Sequence, residues 1–148
     1  MEAYTEAQML IRKPVRDVFE AMIDPQRTTQ FWFTKSSGQL QAGQTVTWHW
    51  EMYGVSAEVF VVAITDNQSI VFDWGQPKRR VVFSYEPLTD DTTYVTVRET
   101  GYTETGDDLL AAVRDSTGGF TTVLDGMKCF LEHGISLNLV ADKFAKGE

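Results

Sequence analysis

Phe120, Val123, Leu124, Met127, Phe130 and Leu131 recur at spacings of three and four residues between Gly119 and Gly134, the period of one helical face turned toward a core. This segment follows a long run of residues that alternate between apolar and polar. A single strongly amphipathic helix after many strands predicts a sheet wrapped around that helix. Gly134 is expected to end or bend it, and Ser116 or Thr117 to cap its start by accepting an orphan backbone N–H. A separate short helix is predicted from Thr105 to Ala112, and Gly118-Gly119 reads as a packing device at the main helix's start. Leu137, Leu139, Val140 and Phe144 predict a further helical turn or two in the tail.

The 148 residues, 43% hydrophobic and 23% charged, are of a size and composition that predict one globular domain over 1–148. A net charge of -8 opposes contact with phosphate backbones, and the basic residues form no aromatic-flanked patch, so nucleic acid is not an expected partner. No apolar run approaches the length of a membrane span, and the N-terminus lacks a basic region followed by an apolar core. A cytoplasmic location is expected. The single cysteine, Cys129, can form no internal disulfide and points away from the apolar stripe, so an exposed, inert thiol is expected.

Residues 4–12 predict a first strand. Pro14 then opens a short helix whose apolar face is Val15, Val18, Phe19, Met22 and Ile23. Asp24-Pro25 stops it, and a second short helix is predicted from Gln26 to Phe31. Val46, Trp48, Trp50 and Met52 alternate with Thr45, Thr47, His49 and Glu51, giving a strand with one apolar face. Tyr53-Gly54 turns the chain into a strand from Val55 to Thr65, and Asp66-Asn67 turns it again. Ile70, Phe72 and Trp74 then face inward, as do Val81, Phe83 and Tyr85 after the Gly75-Gln76-Pro77 turn. After a loop from Pro87 to Asp91, Val95 and Val97 continue that face on the last strand. Short turns between successive strands imply antiparallel neighbours.

This order, and a set of motifs spread over nearly the whole chain, resembles the START/Bet v 1-like superfamily, within it the group related to the C-terminal domain of the activator of Hsp90 ATPase. The motifs are Ile11-Arg-Lys-Pro14 with Val18-Phe19-Glu-Ala21, Asp24-Pro25, Ile70-Val-Phe-Asp-Trp74, Thr93-Tyr-Val-Thr-Val97 with Gly101, and Gly119-Phe120 leading to Leu131-Glu132-His-Gly134. The resemblance implies an α+β helix-grip fold: a curved antiparallel sheet around a long C-terminal helix, with two short helices after the first strand. Phe120 stands where that group usually has Trp, and Glu99 where a His or polar residue is common.

A sheet gripping one helix leaves room for a cavity, the ordinary form of a small-molecule site. The predicted lining is Trp48, Trp50, Phe72, Trp74, Phe83, Tyr85 and Phe120, with Met127 as an adaptable filler. The same rings could instead fill the core. Phe31-Trp-Phe33 would sit at the mouth or staple the second helix to the sheet. Glu99 shares the inward parity of Val95 and Val97, and a buried carboxylate needs a partner. Pairing Tyr85 with Val95 sets Val81 opposite Glu99 and Arg79 diagonal to it, which predicts an Arg79–Glu99 ion pair. Alternatives are a ligand anchor, a general acid or base, or a solvated residue at the strand end.

His49 and His133 fall away from the apolar faces and are expected on the surface. No nucleophile elbow, phosphate loop or metal-ligand spacing occurs, so no catalytic residue, cofactor or metal is assigned. Three functions remain. The first is noncatalytic binding of a small apolar or aromatic molecule. The second is a cyclase or dehydratase of the kind the superfamily contains, with Glu99 or Tyr85 moving a proton. The third is partnership with an Hsp90-type chaperone, the least favoured, because the chain matches only the C-terminal part of that activator. A homodimer through the sheet face or an edge strand is compatible with the fold.

Overall fold

The computed structural model describes residues 2–147. Seven antiparallel strands form one sheet in the order β1-β7-β6-β5-β4-β3-β2: Thr5–Ile11, Thr92–Thr100, Arg79–Thr89, Ser69–Trp74, Val55–Thr65, Thr45–Trp50 and Lys35–Ser36. Helices α1 (Val15–Ile23) and α2 (Pro25–Thr28) follow β1, and α3 (Gly106–His133) and α4 (Leu139–Lys143) follow β7. This is the helix-grip architecture that the resemblance implies. The two-residue edge strand β2 has no periodic signal and is invisible in the sequence.

Period-two alternation builds the concave face. Trp48, Val59, Val61, Ile70, Phe72, Val81, Phe83, Val95 and Val97 are all buried on it, and α3 lays Phe120, Val123, Leu124 and Met127 against them. Each fully buried side chain of this size contributes roughly 1.5–3 kcal/mol through the hydrophobic effect. A bulge between Val61 and Ala63 bends β4, because an extra residue in one strand sharpens its local twist. α3 also covers the β1 edge. Lys128 Nζ donates to the Leu10 carbonyl at 2.7 Å and to Glu132 Oε2 at 2.7 Å, and Glu132 Oε2 accepts the Arg12 backbone N–H at 2.7 Å. Burial pushes the Glu132 carboxyl up, but these donors outweigh it and hold the group below its ordinary range.

The C-terminal helices differ from expectation. One continuous helix runs from Gly106 to His133 with Thr105 at its N-cap, in place of a short helix ending at Ala112 and a second one capped by Ser116 or Thr117. The physical reason is back-bonding: Thr117 Oγ1 donates to the Val113 carbonyl at 2.7 Å and Thr122 Oγ1 to the Gly118 carbonyl at 2.9 Å. A hydroxyl that bonds the carbonyl four residues back sits inside a helix instead of starting one. Gly118 and Gly119 therefore lie mid-helix, where each costs about 1 kcal/mol relative to alanine. Gly134, at φ 68°, ends α3 with its N–H on the Phe130 carbonyl.

Three smaller corrections follow the same logic. Met52 leaves the strand face for a 3₁₀ turn over Glu51–Tyr53 and is exposed, since Gly54 at φ 62° redirects the chain. The second helix spans Pro25–Thr28, opened by the Asp24 carboxylate accepting the Gln26 N–H at 3.0 Å, and ends before Phe31. Cys129 and His49 are half-buried rather than fully exposed, while His133 is exposed.

Candidate functional site

An open cleft of about 370 Å³ lies where the sheet runs out from under α3. Trp50 ends β3 and Trp74 ends β5, so both keep the inward parity of their strands yet lie half-buried beyond the packed centre. Tyr53 and Val55 supply the adjoining turn and strand start. From α3 come Asp115, Ser116, Gly119, Phe120, Thr122 and Val123, and from α4 Val140, Lys143 and Phe144. Trp32 forms the floor at 6% exposure, its ring 4.9 Å from Trp48, 6.3 Å from Trp50 and 5.8 Å from Trp74.

Of the residues expected to line a cavity, the cleft gathers Trp50, Trp74 and Phe120. Trp48, Phe72, Phe83, Tyr85 and Met127 lie beneath it in the packed core. Their positions in mid-strand or mid-helix bring them fully under the opposing layer. Trp48 stacks on Phe33 at 4.5 Å, and Tyr85 meets the edge of Phe19 at 5.4 Å. The Phe31-Trp-Phe33 segment does not sit at a mouth; it is split between layers, with Phe33 stacked on Trp48 of the sheet. Phe31 packs against α3 at Gly126, where an added Cβ would stand 3.2 Å from the Phe31 Cβ, while Trp32 turns into the cleft.

Glu99 lies behind Trp74 rather than in the cleft. It is 1% exposed and borders a second depression of about 270 Å³ with Arg79, Glu104 and Gln76, which shares Trp74 and Ser116 with the cleft. The register sets Val81 opposite Glu99 and Tyr85 opposite Val95, as expected. The expected Arg79–Glu99 ion pair is present at 3.8 Å, but the carboxylate takes its hydrogen bonds from two other groups. Trp74 Nε1–H donates to Glu99 Oε2 at 2.8 Å, and the Tyr102 hydroxyl donates to Oε1 at 2.7 Å. Arg79 stands 3.8 Å from Glu99, spends its hydrogen bond on Glu104 at 2.7 Å, and lies over the Tyr102 ring at 4.3 Å. Burial, reinforced by the Glu99 carboxylate, holds the Tyr102 phenol above its ordinary value and keeps it a donor. The carboxylate thus fixes the indole that forms one cleft wall.

The further helical turn expected in the tail is α4, but sequence reasoning placed neither it nor Tyr53 at the cleft. The apolar Val140 and Phe144 were a visible signal in the tail, whereas nothing in the sequence says that Tyr53 donates its hydroxyl hydrogen bond to the Val140 carbonyl, with Ala141 O at 3.1 Å. Among the described residues no group of three or more His, Cys, Asp or Glu could hold a metal ion, and no helix is long and apolar enough to cross a membrane.

Comparison with known proteins agrees with this architecture. Protein SSP2350 from Staphylococcus saprophyticus is 29% identical, with a TM-score of 0.80 over 91% of this chain and 96% of its own. The Aha1 dimer from Colwellia psychrerythraea is 16% identical, with a TM-score of 0.75 over 89% of this chain and 98% of its own. DynU16, a putative protein in the dynemicin biosynthetic locus, is 18% identical, with a TM-score of 0.81 over 92% of this chain and 49% of its own, so this chain spans about half of it. The latter two share the fold. No curated protein matches the chain. The sequence model described as "Activator of Hsp90 ATPase homolog 1-like protein" matches residues 12–132, and the chain belongs to that family.

Proposed function

We propose that this protein binds a small apolar, aromatic-rich molecule in the cleft between the sheet and α3, without transforming it. The aromatic wall carries the reading: Trp32, Trp50, Trp74 and Phe120 present large rigid surfaces around about 370 Å³ of open space. Polar groups are few: Asp115, Ser116, Thr122 and Lys143 border it on the helical side, where they can orient a guest, and the Tyr53 hydroxyl is spent on α4. The noncatalytic part rests on Glu99, the strongest candidate for proton transfer, which is spent on Trp74 and Tyr102. A catalytic acid or base must reach the proton it moves, and the Trp74 indole stands between this carboxylate and the cleft.

The test is a fluorescence titration with the uncharged probe N-phenyl-1-naphthylamine, alongside native mass spectrometry with a lipid and polyphenol panel. Saturable one-to-one binding that weakens about tenfold in Trp50→Ala is expected, from the loss of one ring face. No saturation by the probe and no adduct across the panel would remove the reading.

A further inference from the structure

Three glycines interrupt the middle of α3, and two of them have a neighbour within 4 Å of where a side chain would begin. At Gly126 an added Cβ would stand 3.2 Å from the Phe31 Cβ and 3.4 Å from its carbonyl oxygen, so the helix needs a glycine to approach that segment. At Gly118 the Lys143 ammonium lies 3.6 Å from the same position. At Gly119 nothing lies within 4 Å. No packing contact explains a residue that weakens the helix.

Position 119 is nevertheless the centre of the cleft face. Residues three and four apart on a helix share one side, and the neighbours of 119 at those spacings, Asp115, Ser116, Thr122 and Val123, all border the cleft, as does Gly119 itself. A Cβ there would project into the open volume. Across that volume stand Trp50 and Trp74, their ring centroids 6.4 Å apart, with the Trp74 indole held by Glu99. A bare stretch of helical backbone facing fixed aromatic rings makes a slot, and a flat guest fills a slot with the most contact for the least conformational entropy.

We infer that Gly119 is a specificity-determining residue: its missing side chain keeps the cleft open for a planar aromatic molecule lying between the α3 backbone and the Trp50–Trp74 wall. This rests on the binding function proposed above. It adds the class of guest and the residue that admits it.

The experiment titrates N-phenyl-1-naphthylamine into the wild type, Gly119→Ala and Gly119→Leu, with thermal unfolding of each, and then displaces the probe from the wild type with 2-anthracenemethanol or 1-adamantanemethanol. Gly119→Leu is expected to weaken the probe by at least about tenfold, because the leucine occupies the guest's space. Gly119→Ala is expected to unfold about 3 °C higher, since alanine is the better helix former, while binding the probe more weakly than the wild type. The planar alcohol should displace the probe far more effectively than the cage-shaped one. Probe binding unchanged in Gly119→Leu, a lower unfolding temperature in Gly119→Ala, or equal displacement by the two alcohols would overturn the inference and leave the binding function standing. A wild type that binds neither the probe nor any panel compound would overturn both.

Discussion

Tyr85 carries a hydroxyl that its surroundings do not use. It is 5% exposed, and its oxygen finds no hydrogen-bond partner among the described residues. Burial pushes the phenol well above its ordinary value, so it stays neutral. An orphaned buried hydroxyl costs about 1–3 kcal/mol, whereas an apolar isostere incurs no such penalty. Tyr85→Phe is therefore expected to stabilise the protein by about 1 kcal/mol, read as a higher urea midpoint; a lower midpoint would mean that the hydroxyl has a partner. Glu99 is the opposite case, accepting from both the Trp74 indole and the Tyr102 hydroxyl. Glu99→Leu strands the Trp74 N–H, leaves the Tyr102 hydroxyl to Thr5 Oγ1 at 2.7 Å, and is expected to cost about 3 kcal/mol, while Glu99→Gln keeps an acceptor for the indole and costs less than half of that. Urea unfolding of the two variants checks the order. The inward parity of Glu99 was legible because the two-residue period of Val95 and Val97 extends to it. So was its Arg79 ion pair, from the register; the Tyr102 hydrogen bond was not, since Gly101, at φ 97° and with an added Cβ only 3.2 Å from the Lys78 carbonyl, turns the chain so that Tyr102 returns beneath the carboxylate. No periodicity encodes that reversal.

Elements read well where one period holds for several residues and poorly where a side chain can serve two structures. The strand Val55–Thr65 and the inward faces of its neighbours follow from alternation alone. Ser116 and Thr117 could cap a helix or bond backward inside one, and the choice depends on whether the Val113 carbonyl is already in a helix, a fact of the fold rather than of the dipeptide. The α4 helix shows the same limit. At five residues it is too short to persist alone, so its place over the cleft depends on the Tyr53 hydroxyl and on the Phe144 ring, 6.4 Å from that of Tyr53. Tyr53→Phe should raise amide hydrogen exchange in residues 139–143 by about tenfold, the equivalent of one lost hydrogen bond, and leave α3 unchanged. Equal protection in the two proteins would show that packing alone seats α4.

Across the whole molecule, the buried carboxylate of Asp73 and the half-buried one of Glu132 link stability to pH. The Arg80 hydrogen bond, opposed by burial and aided by the Arg80 and Lys78 charges, holds Asp73 below its ordinary value on the outer sheet face, and Glu132 is lowered at the α3–β1 edge. In each case the unfolded chain takes up a proton more readily than the folded one, so their contribution is complete above the ordinary carboxyl range of about 4 and is lost as pH falls through the lowered folded values. The urea midpoint should drop on acidification below about pH 4, and more shallowly in the Asp73→Asn, Glu132→Gln double variant; parallel curves would assign the loss to other groups. The layered fold itself was readable because its two signals, strand alternation and a three-and-four helix spacing, come in a fixed order along one chain. The cleft was half readable: aromatic parity found Trp50, Trp74 and Phe120, but which rings are covered depends on where α3 crosses the sheet. Every pair among Trp32, Trp48, Trp50 and Trp74 lies between 4.9 and 6.5 Å, centroid to centroid. Chromophores this close share excitation, so the four indoles form a single antenna, and a quencher touching any one of them dims the emission of all four.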